Sequence, residues 1–351
     1  MTNIINNIQN FLNTHYEHQT VAFLMEHIPP TISEGDYFLV DNISDLDNIH
    51  NDNPYNLIVS SPLLNDFKNI NRSLIKIHSS LRQGGIFIGK VETLNHRKSR
   101  IASSHNIFWY KVIIVYEFFF KRVLPKLFGF RYIFQRFGIM NHRILSKCEA
   151  LGRLRYNGFE ILDLKETDKY LYFITFKNSK PSTEKPYDGI LIKIPKVGKD
   201  GRTIYCYKLR TMHPYANFLH DYILNNHQID SEGKVVGDFR IPGWGKFLRK
   251  TWLDEMPQLF NILKGDIFFI GLRPLSREFL ALYPEDWRKE RMKIKPGFVP
   301  PYYADCPKSF KEIIESEKRY YEAWKKHPVK TNFFYFWKVV FNFITGRTRT
   351  G

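Results

Sequence analysis

Cysteine is scarce in this sequence. Cys148, Cys206 and Cys306 are far apart and fall in neither CxxC nor Cys/His spacing, which argues against a disulfide framework or a zinc site and fits a reducing cytoplasm. Glycine is nearly missing from the N-terminal part, where Gly35 is the only one before Gly84. No Gly-rich turn is there to bring backbone against a nucleotide cofactor. There is no unbroken apolar run of about 18 residues, the length a membrane-crossing helix needs, so a simple span is not expected. The opening MTNIINNIQNFLNTHYEHQ lacks a basic flank followed by an apolar core, and no secretory signal is expected in it. Acidic residues are outnumbered, 35 Asp and Glu against 52 Lys and Arg. The net charge of +17 draws the protein toward nucleic acid, phospholipid head groups or nucleotide sugars without choosing among them. Internal repeats and long low-complexity tracts are absent as well.

What is present argues for two folded domains. A chain of 351 residues with 43% hydrophobic residues is long enough for more than one core, and the 16% of aromatic residues exceeds what a small soluble enzyme needs. Asn56-Leu57-Ile58-Val59-Ser60 predicts a strand. Ile70, Leu74, Ile77 and Leu81 recur at helical spacing, Gly84-Gly85 breaks that helix, and Ile86-Phe87-Ile88 begins another strand. This is a βαβ unit of an open parallel sheet. A helix ending near Gly158 and strands at Phe159–Leu162 and Tyr170–Phe176 belong to the same sheet. The polar stretch 178–186, with Pro181 and Pro186, marks a linker, so the domains are expected at 1–180 and 187–345.

Between the two pieces of the first domain lies an insertion at about 107–143 of different composition, FWYKVIIVYEFFF followed by KRVLPKLFGFRYIFQRFG. It reads either as a core helix pair or as a helix in a membrane interface. Aromatics interleaved with Lys111, Lys121, Arg122, Lys126 and Arg131 favour the interface, with cations toward anionic lipid.

The second half carries several ordered blocks. Lys196-Val197-Gly198-Lys199-Asp200-Gly201 and Tyr207-Lys208-Leu209-Arg210-Thr211-Met212 come first. Asp238-Phe239-Arg240-Ile241 and Gly245-Lys246-Phe247-Leu248-Arg249-Lys250 follow, then Leu253-Asp254-Glu255-Met256-Pro257-Gln258 through Lys264-Gly265-Asp266 and Ile270-Gly271-Leu272-Arg273-Pro274. Leu253, Met256, Phe260 and Leu263 share one helical face, and Pro257 forces the helix to start or kink there. Asp254 and Glu255 then sit near a helix N-terminus, where free N–H groups favour carboxylates and phosphate oxygens. Taken alone, such a pair is an ordinary solvated cap. Arg210, Arg240, Arg249, Lys250, Lys264 and Arg273 recur around it, and arginine forks suit phosphate oxygens. Singly, each cation reads equally well as a partner of a local acid.

Together these blocks resemble the bacterial sugar transferases, the monotopic polyprenyl-phosphate phosphoglycosyl transferases, over about residues 187–345. The resemblance implies transfer of a phosphosugar from a nucleotide-diphosphate sugar to a polyprenyl phosphate such as undecaprenyl phosphate. That step initiates surface polysaccharide or exopolysaccharide synthesis. It implies Asp254 as nucleophile, forming a phosphosugar intermediate, and Glu255 as a ligand of Mg²⁺. Arg210, Asp238, Arg240, Arg249, Lys250, Gln258, Lys264 and Arg273 are implied as substrate- or phosphate-binding. The implied place is the cytoplasmic face of the bacterial inner membrane, monotopic or peripheral on its anionic surface.

Two departures stand out. The family's Pro-Gly-x-Thr-Gly block reads Lys295-Pro296-Gly297-Phe298-Val299-Pro300-Pro301-Tyr302-Tyr303 here. The apolar hairpin expected before the basic-Val-Gly turn is replaced by the first domain and the linker, with the insertion and its Pro125 as a substitute. The tail from Asn332 to Ile344 matches the family's terminal helix and reads as core or interface.

The N-terminal half resembles a degenerate class I methyltransferase-like fold, through Leu57-Ile58-Val59-Ser60, Leu81-Arg82-Gln83-Gly84-Gly85-Ile86 and Gly158-Phe159-Glu160-Ile161. The fold class expected is therefore α/β, a Rossmann-like domain followed by an α+β transferase domain with interfacial helices. An inactive scaffold of a glycan assembly pathway is the alternative. Nucleic acid is not expected as a partner, because the cations sit in phosphate-transfer blocks rather than on a reading helix.

Overall fold

The computed structural model describes residues 2–49, 54–123, 143–187, 189–226 and 235–347. The chain forms two compact units, the first from 1–189 with 212–241 and the second from 190–211 with 242–351.

The first unit is built on a five-stranded sheet. Strands β1 (Tyr37–Val40), β2 (Tyr55–Leu63) and β3 (Leu81–Val91) are parallel neighbours. Strand β4 (Phe159–Glu166) lies outermost and β5 (Leu171–Lys177) pairs antiparallel with both β3 and β4, in the order β1-β2-β3-β5-β4. The two sequence pieces thus join in one sheet. Alternation along β2 explains why the sheet is covered on both sides. Leu57 and Val59 pack with Ile8, Leu12, Val21 and Leu24 of the helices Thr2–His15 and His18–Met25. Ile58 packs with Ile70, Leu74, Ile77, Leu151 and Leu154 of the helices Ile70–Ser79 and Lys147–Tyr156.

The glycine pair does not end the helix before it. That helix stops at Ser79, and Gly84, with φ of 77°, sits inside β3, where the register with β2 slips between Tyr55 and Leu57. A left-handed residue in a strand makes a bulge, which glycine permits without a side-chain clash. Residues 212–241 fold into this unit. Ala216, Leu219 and Ile223 are buried in the same core as Leu151 and Leu154, and Tyr215 Oη accepts from Asn71 Nδ2 at 2.7 Å and Arg153 Nη1 at 3.1 Å.

The described part of the insertion is the helix Ile107–Glu117, continued by a wider turn to Val123. Asn106 caps it by accepting from the Trp109 N–H. Ile107, Phe108, Trp109, Val112, Val115 and Tyr116 are exposed, while Glu117 is buried and held by the Arg97 fork, Nε to Oε2 at 2.9 Å. Residues 124–142, with Pro125, Lys126 and Arg131, lie outside the described residues, as do the side chains of Lys121 and Arg122.

The second unit begins with an antiparallel hairpin, β6 (Leu191–Val197) and β7 (Thr203–Leu209), in which Ile194 faces Cys206. A short parallel pair follows, β8 (Phe268–Ile270) and β9 (Gly297–Val299). Around these pack the helices Arg277–Ala281, Glu285–Arg291, Phe310–Lys326 and Pro328–Ile344, over a core containing Leu272, Trp287, Tyr320, Tyr321, Tyr335 and Val339. Inside it Arg291 grips Glu317 with Nε to Oε2 at 3.0 Å and Nη2 to Oε1 at 3.1 Å. The terminal helix buries Thr331, Tyr335, Val339 and Asn342 and exposes Phe333, Phe334, Trp337, Phe341, Phe343 and Ile344, so it is both core and surface. Among the described residues no helix is long and apolar enough to cross a membrane.

Candidate active site

Asp254 and Glu255 lie in a tight turn between the helices Gly243–Lys250 and Leu259–Leu263. Pro257 sits in a single 3₁₀ turn, Met256–Gln258, that opens the second helix. Its missing N–H costs nothing there, since first-turn donors have no helical partner. Two fastenings hold the turn to β7. The Leu209 N–H donates to the Asp254 carbonyl at 2.8 Å. Buried Asn261 accepts from the Tyr207 N–H at 3.0 Å and donates to the Tyr205 carbonyl at 2.8 Å and to Asp266 at 3.1 Å. Trp252 adopts φ of 58°, a left-handed conformation that side chains other than glycine adopt at a cost.

The carboxylates share one cation. Lys208 Nζ lies 2.9 Å from Asp254 Oδ2 and 3.1 Å from Glu255 Oε1. Arg273 Nη2 approaches the same Glu255 oxygen at 3.7 Å. The two acids differ in access, since Asp254 is only 2% exposed, whereas Glu255 lines a pocket together with Lys196, Cys206, Lys208, Gln258 and Arg273. Phe298, Pro300 and Tyr303 line it as well.

The pocket is electropositive. Lys196, Lys208 and Arg273 surround the single carboxylate of Glu255 in the wall. Burial lowers the Lys196 pKa, and nearby Arg273 and Lys208 push it the same way. Burial likewise pushes the Cys206 thiol up to about 11, so it stays protonated at neutral pH. Three cations gathered in one pocket form a place suited to an anionic ligand. Among the described residues no group of three His, Cys, Asp or Glu side chains could hold a metal unaided. Glu255 is the carboxylate that lines the pocket, and Mg²⁺ is commonly held by one or two carboxylates plus substrate phosphate oxygens.

The structure brings Glu255, Gln258 and Arg273 to the pocket wall, and Asp254 is tied to the pocket through Lys208. Arg249 donates Nε to Thr211 Oγ1 at 2.9 Å, Lys264 pairs with Asp266 at 3.3 Å, and Lys250 is exposed. Arg210 lies over the Trp244 ring at 5.9 Å. Asp238 and Arg240 belong to the first unit and pair with each other at 2.7 Å. Lys208, which binds both acids, is absent from the residues expected from sequence, as are Lys196 and Tyr303. Strand alternation carries a signal for them, because Ile194 and Lys196 on β6 share a face with Cys206 and Lys208 on β7 once the hairpin register is known.

The outward face of the turn and its helix is apolar. Leu253, Met256, Phe260 and Leu263 are all exposed, as is Phe247 on the preceding helix. The single helical face expected for these four does not form, since only Phe260 and Leu263 lie in the α-helix Leu259–Leu263, with Leu253 in the turn and Met256 in the 3₁₀ turn, and all four are exposed rather than in a core.

Residues 181–344 match the bacterial sugar transferase family. A galactosyl transferase of Streptococcus agalactiae (CpsE) is 33% identical over 133 residues, 37% of this chain and 29% of that protein. The undecaprenyl-phosphate galactose phosphotransferase of Salmonella typhimurium is 40% identical over 96 residues, 26% of this chain and 20% of its own length. An Aeromonas hydrophila UDP-N-acetylgalactosamine-undecaprenyl-phosphate N-acetylgalactosaminephosphotransferase is 35% identical over 104 residues, 29% of this chain and 22% of its own. The chain thus spans less than a third of the length of these curated relatives. Match and site lie in the same part of the sequence, and the C-terminal half carries a bacterial sugar transferase domain.

Proposed function

We propose that the protein transfers a phosphosugar from a nucleotide-diphosphate sugar to undecaprenyl phosphate or a similar polyprenyl phosphate, the opening step of a surface polysaccharide or exopolysaccharide. The observation that carries this is the electropositive pocket of Lys196, Lys208 and Arg273 set against the Asp254–Glu255 pair. Relatives named for undecaprenyl-phosphate sugar transfer support the substrate class.

In the first step the donor pyrophosphate settles against Lys196, Lys208 and Arg273. Its charge competes for Lys208 Nζ, which leaves the carboxylates and uncovers Asp254. An Asp254 oxygen bonds to the sugar-proximal phosphorus, and the bond from that phosphorus to the bridging oxygen breaks. Nucleoside monophosphate departs with the electron pair, leaving a phosphosugar on Asp254. In the second step an oxygen of the polyprenyl phosphate attacks the same phosphorus and restores the Asp254 carboxylate. Mg²⁺, held by Glu255 and the phosphates, would supply charge neutralisation at the pyrophosphate.

We read the exposed aromatic surfaces of Ile107–Glu117 and the terminal helix, with the apolar row beside the pocket, as contacts with an anionic membrane on its cytoplasmic face. The first unit is read as a degenerate methyltransferase-like module without catalysis. Its strand order, in which an antiparallel strand enters beside a parallel set, and its lack of early glycines support that reading.

The burial of Asp254 under Lys208 favours a second reading, an inactive scaffold in which the acid is purely structural. One experiment separates the two. Purified protein receives a panel of nucleotide sugars with Mg²⁺ and no acceptor, nucleoside monophosphate release is measured, and the peptide bearing Asp254 is examined by mass spectrometry. A phosphosugar adduct on that peptide is the expected result; turnover without it, or an adduct on another residue, overturns the mechanism, and no release from any donor favours the scaffold.

A further inference from the structure

We infer that Tyr302 and Tyr303 are positioning residues for Arg273, fixing its guanidinium at the pocket wall where a donor phosphate binds. The inference rests on the transfer reaction proposed above and adds two residues to it. Arg273 Nη1 donates to Tyr302 Oη at 2.7 Å, with Tyr303 Oη at 3.5 Å, while Nη2 faces Glu255 at 3.7 Å. Arg273 lines the pocket, and a long arginine side chain without such partners would sample many rotamers. Its backbone is gripped as well, because Arg291, itself forked on Glu317, donates Nη2 to the Arg273 carbonyl.

The nature of the acceptors matters. Glu255 on the other side is a charged neighbour that offsets the arginine, whereas the phenols fix its geometry without adding negative charge. Tyr303 keeps its proton, since burial pushes its pKa above the usual tyrosine range.

The turn that bears the tyrosines, Tyr302–Asp305, is firmly seated. Asn342 Nδ2 donates to the carbonyls of Tyr303 at 3.1 Å and Ala304 at 2.7 Å, and Lys338 binds Asp305 at 2.8 Å. The Tyr303 ring also packs on Trp252 at 4.8 Å between centroids, two residues before Asp254. One aromatic platform therefore braces both the phosphate-binding arginine and the strained turn that presents the carboxylates.

The test is a double-mutant cycle read by calorimetry on the full chain, with UDP and Mg²⁺ as the probe. The variants are Tyr302→Phe with Tyr303→Phe, Arg273→Ala, and all three changes together. Removing the phenol oxygens should weaken UDP about tenfold, the order expected for hydrogen bonds to a charged group. In the Arg273→Ala background the same change should cost less than about twofold, because the arginine that the phenols hold is gone. Equal losses in both backgrounds overturn the inference, as does unchanged UDP affinity in the double phenylalanine variant, or no UDP binding by the unaltered protein. The Asp254 adduct reads the transfer reaction separately. An adduct with an additive cycle removes the tyrosine role alone, and a coupled cycle without any adduct removes the reaction and leaves an arginine positioned for an anion.

Discussion

Asp254 is nearly enclosed and shares Lys208 with Glu255, and this arrangement makes sharp demands on substitution. Asp254→Asn keeps the shape and removes the anion, so on the proposed mechanism steady-state turnover should fall by several orders of magnitude while donor affinity changes little. Lys208→Met should behave differently. It leaves two carboxylates facing each other without their shared cation and removes a phosphate contact, so donor KM should rise steeply and Mg²⁺ dependence should strengthen. Near-normal kinetics in Lys208→Met would show that the lysine only caps a turn. The Cys206 thiol gives a prediction in pH. Its folded pKa is about 11, against about 8.5 for a free thiol, so folding favours the neutral form. That contribution to stability is complete below about pH 8.5 and is lost as pH rises through about 11. Urea unfolding midpoints should therefore fall across that window, and Cys206→Ala should flatten the fall. The acid pair was legible in sequence because its neighbours in the chain supply the turn and Pro257. Lys196, Lys208 and Tyr303 were not, since two strands and a distant turn bring them together and only the hairpin register reveals which residues share a face.

At the scale of elements, periodicity predicts which residues share a face and is silent on what that face meets. Leu253, Met256, Phe260 and Leu263 have the spacing of a core helix, yet only the last two lie in one and all four are exposed. The same limit applies to Gly84-Gly85, because a glycine pair marks a break in regular backbone and does not say whether a helix ends or a strand bulges. The buried Arg291–Glu317 fork joins the helices Glu285–Arg291 and Phe310–Lys326, and Trp287 Nε1 donates to the same carboxylate at 3.3 Å. Glu317→Ala leaves the guanidinium buried without its anion, which should cost about 3 to 5 kcal/mol. Denaturant unfolding checks this, and a loss below about 1 kcal/mol would mean that the fork is replaceable by water or by neighbouring carbonyls. Because Arg291 also holds the Arg273 carbonyl, donor affinity should drop in Glu317→Ala even at temperatures where the protein remains folded.

For the whole molecule, a charge of +17 and two exposed aromatic surfaces, on Ile107–Glu117 and on Pro328–Ile344, predict binding to anionic vesicles. In a flotation assay the protein should rise with phosphatidylglycerol vesicles and stay behind with neutral ones at about 0.1 M salt, where charges interact over about 10 Å. At about 1 M salt binding should weaken without vanishing, since apolar insertion is not screened. Loss of all binding at high salt would assign it to charge alone. The path of the chain has a separate consequence. It leaves the first unit after Gly189, returns at Met212 and departs again after Ile241, and Ala216, Leu219 and Ile223 on the returning stretch are fitted to a core that includes Leu151 and Leu154. A gene crossover within the codons for 178–186 would hand the transferase a foreign neighbour and leave those three side chains without their matching surface.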